Sequence, residues 1–217
     1  MSIGYVGALR LLHRAYSHYP TGHRLHVLIR FLTCPFLRTV GLVPPGARAV
    51  EIGAGHGIYS TLLVHEGVRE VIAVEPDLRK TLLPNRDRRI RWIGAFDEAL
   101  QGEFDAVVVY DATYRMPIEE QRALFRRCFA RIKPGGLFIF KDLDPDHPFK
   151  MKWARFQEWL SDKFLGVSIG RGFNYQGRAE VERTFTEIGF ERFEARPIDR
   201  GYPHSHIIYT ARRPLNS

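Results

Sequence analysis

Apolar and polar positions fall into two regimes along this chain. In the first 45 residues the repeat is helical. Leu25, Leu28, Ile29 and Leu32 recur at the spacing of one helix face, Phe36 and Val40 extend the stripe, and Arg24, Arg30 and Arg38 fall off it. Pro35 predicts a break near Cys34, and Pro44-Pro45-Gly46 predicts a stop. Two readings of this arm stay open. It is either a helix packed on the core, or a lid over a ligand or basic amphipathic surface touching a membrane. From Ala47 the rhythm changes to strand, turn, helix. Strands are predicted at 48–52, 70–74, 89–93, 104–110, 137–141, 190–196 and 205–212. Helices are predicted at 58–66, 118–132, 149–165 and 178–188, with a turn at Lys133-Pro134-Gly135-Gly136. Strands alternating with helices imply an α/β fold: a doubly wound, mostly parallel seven-stranded sheet with helices on both faces and an N-terminal helical arm. The nearly all-apolar run 104–110 suits the sheet centre.

Composition narrows the picture modestly. A chain of 217 residues, 45% hydrophobic and 26% charged, has the apolar material for one globular domain with a full core. No window of 18 uncharged apolar residues exists, so no transmembrane helix is expected, and the N-terminus lacks a signal-peptide pattern. Cys34 and Cys128 are too few for a disulfide framework or a cysteine-rich zinc site. Both read as core residues, and a reducing cytoplasm is the expected setting. The net charge of +8 suits nucleic acid, an anionic substrate or an anionic membrane surface, and an arginine-rich composition alone also produces it.

The informative stretch is Val50-Glu51-Ile52-Gly53-Ala54-Gly55-His56-Gly57, between an apolar strand and a helix. Glycines there let the backbone turn sharply and approach a ligand at the carboxyl end of a strand. The dinucleotide spacing G-x-G-x-x-G fails, because Ile58 stands where its third glycine belongs. The observed E-x-G-x-G-x-G instead resembles motif I of the class I S-adenosylmethionine-dependent methyltransferases. Ala73-Val74-Glu75-Pro76, DAVVVYDATYRMP (105–117) and RIKPGGLFIF (131–140) resemble the family's later motifs in order and spacing, over roughly residues 46–142. A looser likeness to small bacterial methyltransferases of small-molecule or lipid-type biosynthesis extends to the C-terminus.

The resemblance implies S-adenosylmethionine as cofactor. It places Gly53, Ala54, Gly55 and Gly57 against the methionine and ribose, Glu51 toward the methionine amino group, and Glu75 on the ribose hydroxyls. Pro76 and Asp77 would flank the adenine. The third-strand region departs from the family, with Ala95 in the slot often held by an acid. Either the backbone at Ala95 and Phe96 reads the adenine or Asp97 does. Asp111 begins the loop that faces the methyl donor. The chain is expected to divide into an arm or lid (1–45) and a core (46–217), with 143–189 as an acceptor-side helical insertion.

Methyl transfer is an in-line displacement that depends on positioning, plus a base where the acceptor is a hydroxyl. Asp111, Asp142 and His204 are the candidate catalytic residues. Tyr114, Lys141, Asp144, Trp153, Tyr175 and His206 are candidates for the acceptor site, and His147 is a further titratable group near that edge. His204 and His206 would face one side of a last strand. The spacing matches no metal motif, so no metal is expected. Phe149, Trp153, Phe156, Trp159, Phe164, Phe173 and Tyr175 supply an aromatic surface, bordered by Lys150, Lys152, Arg155 and Arg171. No Asn/Asp-Pro-Pro-aromatic run follows the fourth strand, which argues against an amino-methylating nucleobase enzyme, and no DNA partner is expected. The reading is a methyltransferase for an apolar or lipid-like small molecule, with O-methylation favoured, acting as a monomer or homodimer and in possible peripheral contact with a membrane. The alternatives are an RNA methyltransferase, a non-catalytic cofactor-binding subunit, or an aminopropyl transferase.

Overall fold

The computed structural model describes residues 3–77, 80, 87–96, 102–147 and 174–216. Seven strands form one sheet: β1 (Arg48–Ile52), β2 (Glu70–Val74), β3 (Ile90–Ile93), β4 (Phe104–Tyr110), β5 (Ile132–Leu143), β6 (Glu191–Pro197) and β7 (His206–Arg212). Their order is β3-β2-β1-β4-β5-β7-β6. The first five are mutually parallel, and β7 runs antiparallel between β5 and β6. The order reverses between β1 and β4, so the crevice for a ligand opens at the carboxyl ends of those two strands.

The strand residues explain why both faces are covered. Ala49, Val71, Ala73, Ala106 and Val108 point to one core, shared with helices α1 (Tyr5–Ala15), α2 (Thr21–Thr33) and α3 (Ile58–His65). Their neighbours Val50, Ile72, Val74, Val107 and Val109 point to the other, shared with α4 (Ile118–Arg131) and α5 (Arg178–Ile188). Alternate side chains leave opposite faces of a strand, so near-continuous Val/Ile/Ala runs require two apolar layers.

Two expectations need correction. The Lys133–Gly136 turn is absorbed into a long β5, which takes a register shift opposite Phe104–Ala106. The stripe Leu25, Leu28, Ile29 and Leu32 does not pack on the core but is exposed, and α2 buries Val27 and Phe31 instead. Arg30, off that stripe, points into the ligand crevice, as described below. The break at Pro35 is present: α2 ends at Thr33 and two short 3-10 turns follow. The expected helix over 149–165 lies outside the described residues.

The arm is tied to the core at several places. The Tyr16 hydroxyl donates to the His56 carbonyl at 2.7 Å. Arg38 donates to the carbonyls of Ile198 (3.0 Å) and Arg200 (2.6 Å), and the His206 ring meets the Thr33 carbonyl at 2.9 Å. These contacts hold α2 across the carboxyl edge of the sheet.

Candidate active site

A cleft of about 1090 Å³ opens along that edge, floored by the strand ends and walled on one side by His26, Arg30, Thr33 and Cys34 of the arm. Following the sheet order, Glu75 ends β2, Glu51 lies in β1, Asp111 follows β4 and Asp142 lies in β5. All four line the cleft.

The turn after β1 is held by backbone donors. Gly53 and Ala54 N–H both donate to the Val74 carbonyl, at 2.9 and 3.0 Å, and Gly55 N–H donates to Glu75 Oε2 at 2.8 Å. Gly53 has φ +74°, and a Cβ there would sit 2.3 Å from that of Ala112, so the turn and the loop after β4 touch only because no side chain intervenes. Gly55 is different: nothing lies within 4 Å of its missing Cβ, and it lines the cleft. Gly57 stands apart from the lining, and its open position receives the Trp92 ring.

Glu75 is buried. Its Oε1 accepts from Asp77 N–H at 2.9 Å, and Lys80 Nζ lies 3.5 Å away. A carboxylate has about four acceptor positions, so capacity remains for a ligand. Glu51 is also buried and accepts a short hydrogen bond from the Ser60 hydroxyl. Burial pushes its carboxyl up to about 7, against Ser60 and with help from Glu75. Gly94, Ala95 and Phe96 line the cleft beside Pro76. Asp97 lies outside the described residues.

Asp111 is the centre of a charge clamp that the sequence does not display. Arg30 reaches one carboxylate oxygen at 2.6 Å and Lys141 the other at 2.5 Å. Burial pushes the Asp111 carboxyl up, but Lys141 and Arg30 outweigh it and hold it well below the usual carboxylate range. Its backbone sits at φ +50°, a conformation that aspartate tolerates better than most residues. Lys141 is fully buried and outside the lining. Asp144 is likewise outside it, bound to the Arg178 guanidinium and the Asp146 N–H.

Over β4 and β5 the walls become aromatic. Tyr114 and Tyr175 stack at 6.1 Å with 15° between planes, beside Met116 and Leu143. Gln121 braces this wall by donating to the carbonyls of Met116 (3.0 Å) and Asn174 (2.8 Å). Asp142 is buried there, its carboxyl pushed up to about 8 by burial and by the nearby Asp111 charge. His204 and His206 also line the cleft, their rings 5.9 Å apart. The Thr33 carbonyl only accepts, so His206 carries its proton on Nε2, and burial holds the ring down to about 3. Trp153 lies outside the described residues. Sequence reasoning missed His26, Arg30, His56, Lys80, Arg115 and Arg127 as lining residues. For Arg30 the available signal was its place off the apolar stripe of α2.

A glycine turn after β1, an acceptor carboxylate ending β2 and a crevice at the strand-order reversal define a nucleoside-binding enzyme of the open α/β class. The chain matches the methyltransferase-domain family over residues 23–194, and so belongs to the class I S-adenosylmethionine-dependent methyltransferases, with S-adenosylmethionine as cofactor. A ubiquinone biosynthesis O-methyltransferase of Xanthomonas campestris pv. campestris is 27% identical over 108 residues, covering 46% of this chain and 44% of that one. A ribosomal protein L11 methyltransferase of Symbiobacterium thermophilum is 27% identical over 126 residues, covering 55% of this chain and 40% of the relative. The chain thus spans less than half the length of the curated relatives it matches.

Solved structures agree on the fold. A Thermotoga maritima S-adenosylmethionine-dependent methyltransferase superposes with a TM-score of 0.65 at 19% identity, covering 93% of this chain and 99% of that one. A Burkholderia thailandensis 1,6-didemethyltoxoflavin-N1-methyltransferase, with that compound and S-adenosylhomocysteine bound, gives 0.63 at 18% identity, covering 99% and 92%. The residues present fit the cofactor's chemistry. Two buried carboxyl groups, Glu51 and Glu75, face one cleft, and at Gly55 the backbone is open to it.

Proposed function

We propose that this methyltransferase acts on an apolar or lipid-like small molecule, at a hydroxyl oxygen. The observation that carries the reading is the division of the cleft. Its β1–β2 half holds the acceptor carboxylates, and its β4–β5 half is walled by Tyr114, Met116, Leu143 and Tyr175 around the buried Asp142. The names of the ubiquinone biosynthesis relatives and of the didemethyltoxoflavin enzyme support a small-molecule acceptor.

In this reading Glu75 grips the ribose hydroxyls, Glu51 meets the methionine ammonium, and the backbone at Ala95 and Phe96 flanks the adenine. When bound, S-adenosylmethionine supplies an activated sulfonium methyl group. The stacked Tyr114 and Tyr175 rings wall the acceptor's space, Asp142 takes its hydroxyl proton, and His204 borders the same space. Asp111 positions rather than reacts, because both its oxygens are held by cations.

Two outcomes follow from the shifted carboxyls. Binding of S-adenosylhomocysteine weakens as pH falls below about 7, because the ammonium partner must displace a proton from Glu51. The limiting slope is about tenfold per pH unit, and calorimetry finds it absent in Glu51→Gln. The methyl-transfer rate rises with pH toward about 8 as Asp142 loses its proton. Asp142→Asn lowers kcat by about 10²-fold, flattens that profile and leaves S-adenosylhomocysteine binding unchanged.

The deciding experiment supplies methyl-labelled S-adenosylmethionine with a panel of phenols and lipid extracts. Label in an alkali-stable, organic-extractable product supports the reading. Label found only in RNA or protein, or none despite normal cofactor binding, overturns it.

A further inference from the structure

The exposed stripe of α2 needs an explanation that the active site does not supply. Leu25, Leu28, Ile29 and Leu32 are 43–55% exposed, and Val6 of α1 is 61% exposed. They form one surface. The Tyr5 ring lies 5.2 Å from Phe31, so α1 and α2 lie side by side, and Leu9, Leu12, Leu25 and Leu28 line an apolar groove of about 310 Å³ between them. The opposite side of α2 is the one that walls the cleft, through His26, Arg30 and Thr33.

The arm that carries this surface holds one sign of charge. No aspartate or glutamate occurs before Glu51, and Arg10, Arg14 and Arg24 are exposed, while Glu66 of the core accepts the Ile3 N–H at 2.7 Å ahead of α1. An apolar helix face flanked by arginine and free of acid matches an interface of acyl chains under anionic headgroups. Two copies of this chain meeting there would oppose like charges. Exposed Leu and Ile offer RNA bases no ring to stack on, although Tyr5 is exposed beside them. No single helix among the described residues is long and apolar enough to cross a membrane; α2 passes by length and composition only together with the turns after it, bent by 47°, and Val27, Phe31, Phe36 and Val40 of that pair are packed in the core, so the proposed contact is with the surface.

We propose that α1 and α2 form a docking face for an anionic phospholipid surface, with the apolar side of α2 in the bilayer interface while its other side walls the active-site cleft. The face stands beyond the proposed acceptor, and its test does not depend on methyl transfer.

The test is cosedimentation of the full chain with phosphatidylcholine vesicles, with and without phosphatidylglycerol. The wild-type chain partitions onto the anionic vesicles, and added salt weakens the binding. The double change Leu28→Ser with Ile29→Ser reduces partitioning by about 10- to 100-fold. Arg24→Gln reduces it by about fivefold. Thermal melts and S-adenosylhomocysteine affinity stay unchanged in these variants, since none of the three residues lines the cleft. Absence of wild-type binding to anionic vesicles overturns the proposal, as does equal binding by the double variant. A dimer that the double variant dissolves, or single-stranded RNA binding that it abolishes, overturns it too if vesicles are ignored. Failure of S-adenosylhomocysteine binding would strike the cofactor assignment and leave this face standing.

Discussion

Glu75→Ala is expected to lower S-adenosylmethionine affinity by about 10²- to 10⁴-fold, since hydrogen bonds to a charged acceptor contribute about 1.5–3 kcal/mol each and two are lost. Isothermal titration with S-adenosylhomocysteine measures it. The carboxylate also receives Gly55 N–H at 2.8 Å and Asp77 N–H at 2.9 Å, so its removal loosens the glycine turn as well. Glu75→Gln separates the two contributions. The amide keeps one acceptor oxygen of nearly the same shape and loses the charge, so its affinity falls between wild type and alanine. Wild-type affinity in Glu75→Ala would remove the ribose assignment.

Lys141→Met is expected to cost about 3–5 kcal/mol of folding stability, the usual penalty for leaving one partner of a buried ion pair behind. Denaturant unfolding measures it. Lys141 is fully buried and Asp111 nearly so, while the second cation, Arg30, is 37% exposed on its side chain and screened by solvent. The lysine is therefore the partner that Asp111 cannot replace. The pH dependence gives an independent check. The Asp111 carboxyl is held below its ordinary value in the folded chain, so its contribution is present above that ordinary value and disappears as pH falls toward the folded one. In Lys141→Met this acid-side loss shrinks. An unchanged unfolding midpoint would show that the clamp is energetically idle.

Much of the sheet was legible because its signals are local. The runs Arg48–Ile52, Glu70–Val74 and Phe104–Tyr110 are short, apolar and bounded by glycine, proline or charge, and each is a strand with those limits. The glycine turn announced the ligand edge for the same reason: only a backbone without side chains can follow φ +74° at Gly53 against Ala112. What stayed hidden is relational. A helical repeat shows that Leu25, Leu28, Ile29 and Leu32 share a side, but not that Val27 and Phe31 supply the buried contact instead. Nor does it show that Arg30 meets Asp111, 81 positions away. Lys141 reads as a polar end to a strand, and its full burial becomes intelligible only once Asp111 is seen beneath it. The β5 extension through Lys133–Gly136 was masked by a Pro-Gly-Gly signal that ordinarily ends a strand.

The bridge from Arg30 to Asp111 has a kinetic corollary. It ties the arm to the sheet across the cleft wall, so any widening of the cleft between Arg30 and Asp111 requires this partly hydrated ionic latch to open. Added salt is then expected to loosen that wall, and the rate of S-adenosylhomocysteine release followed against ionic strength measures it.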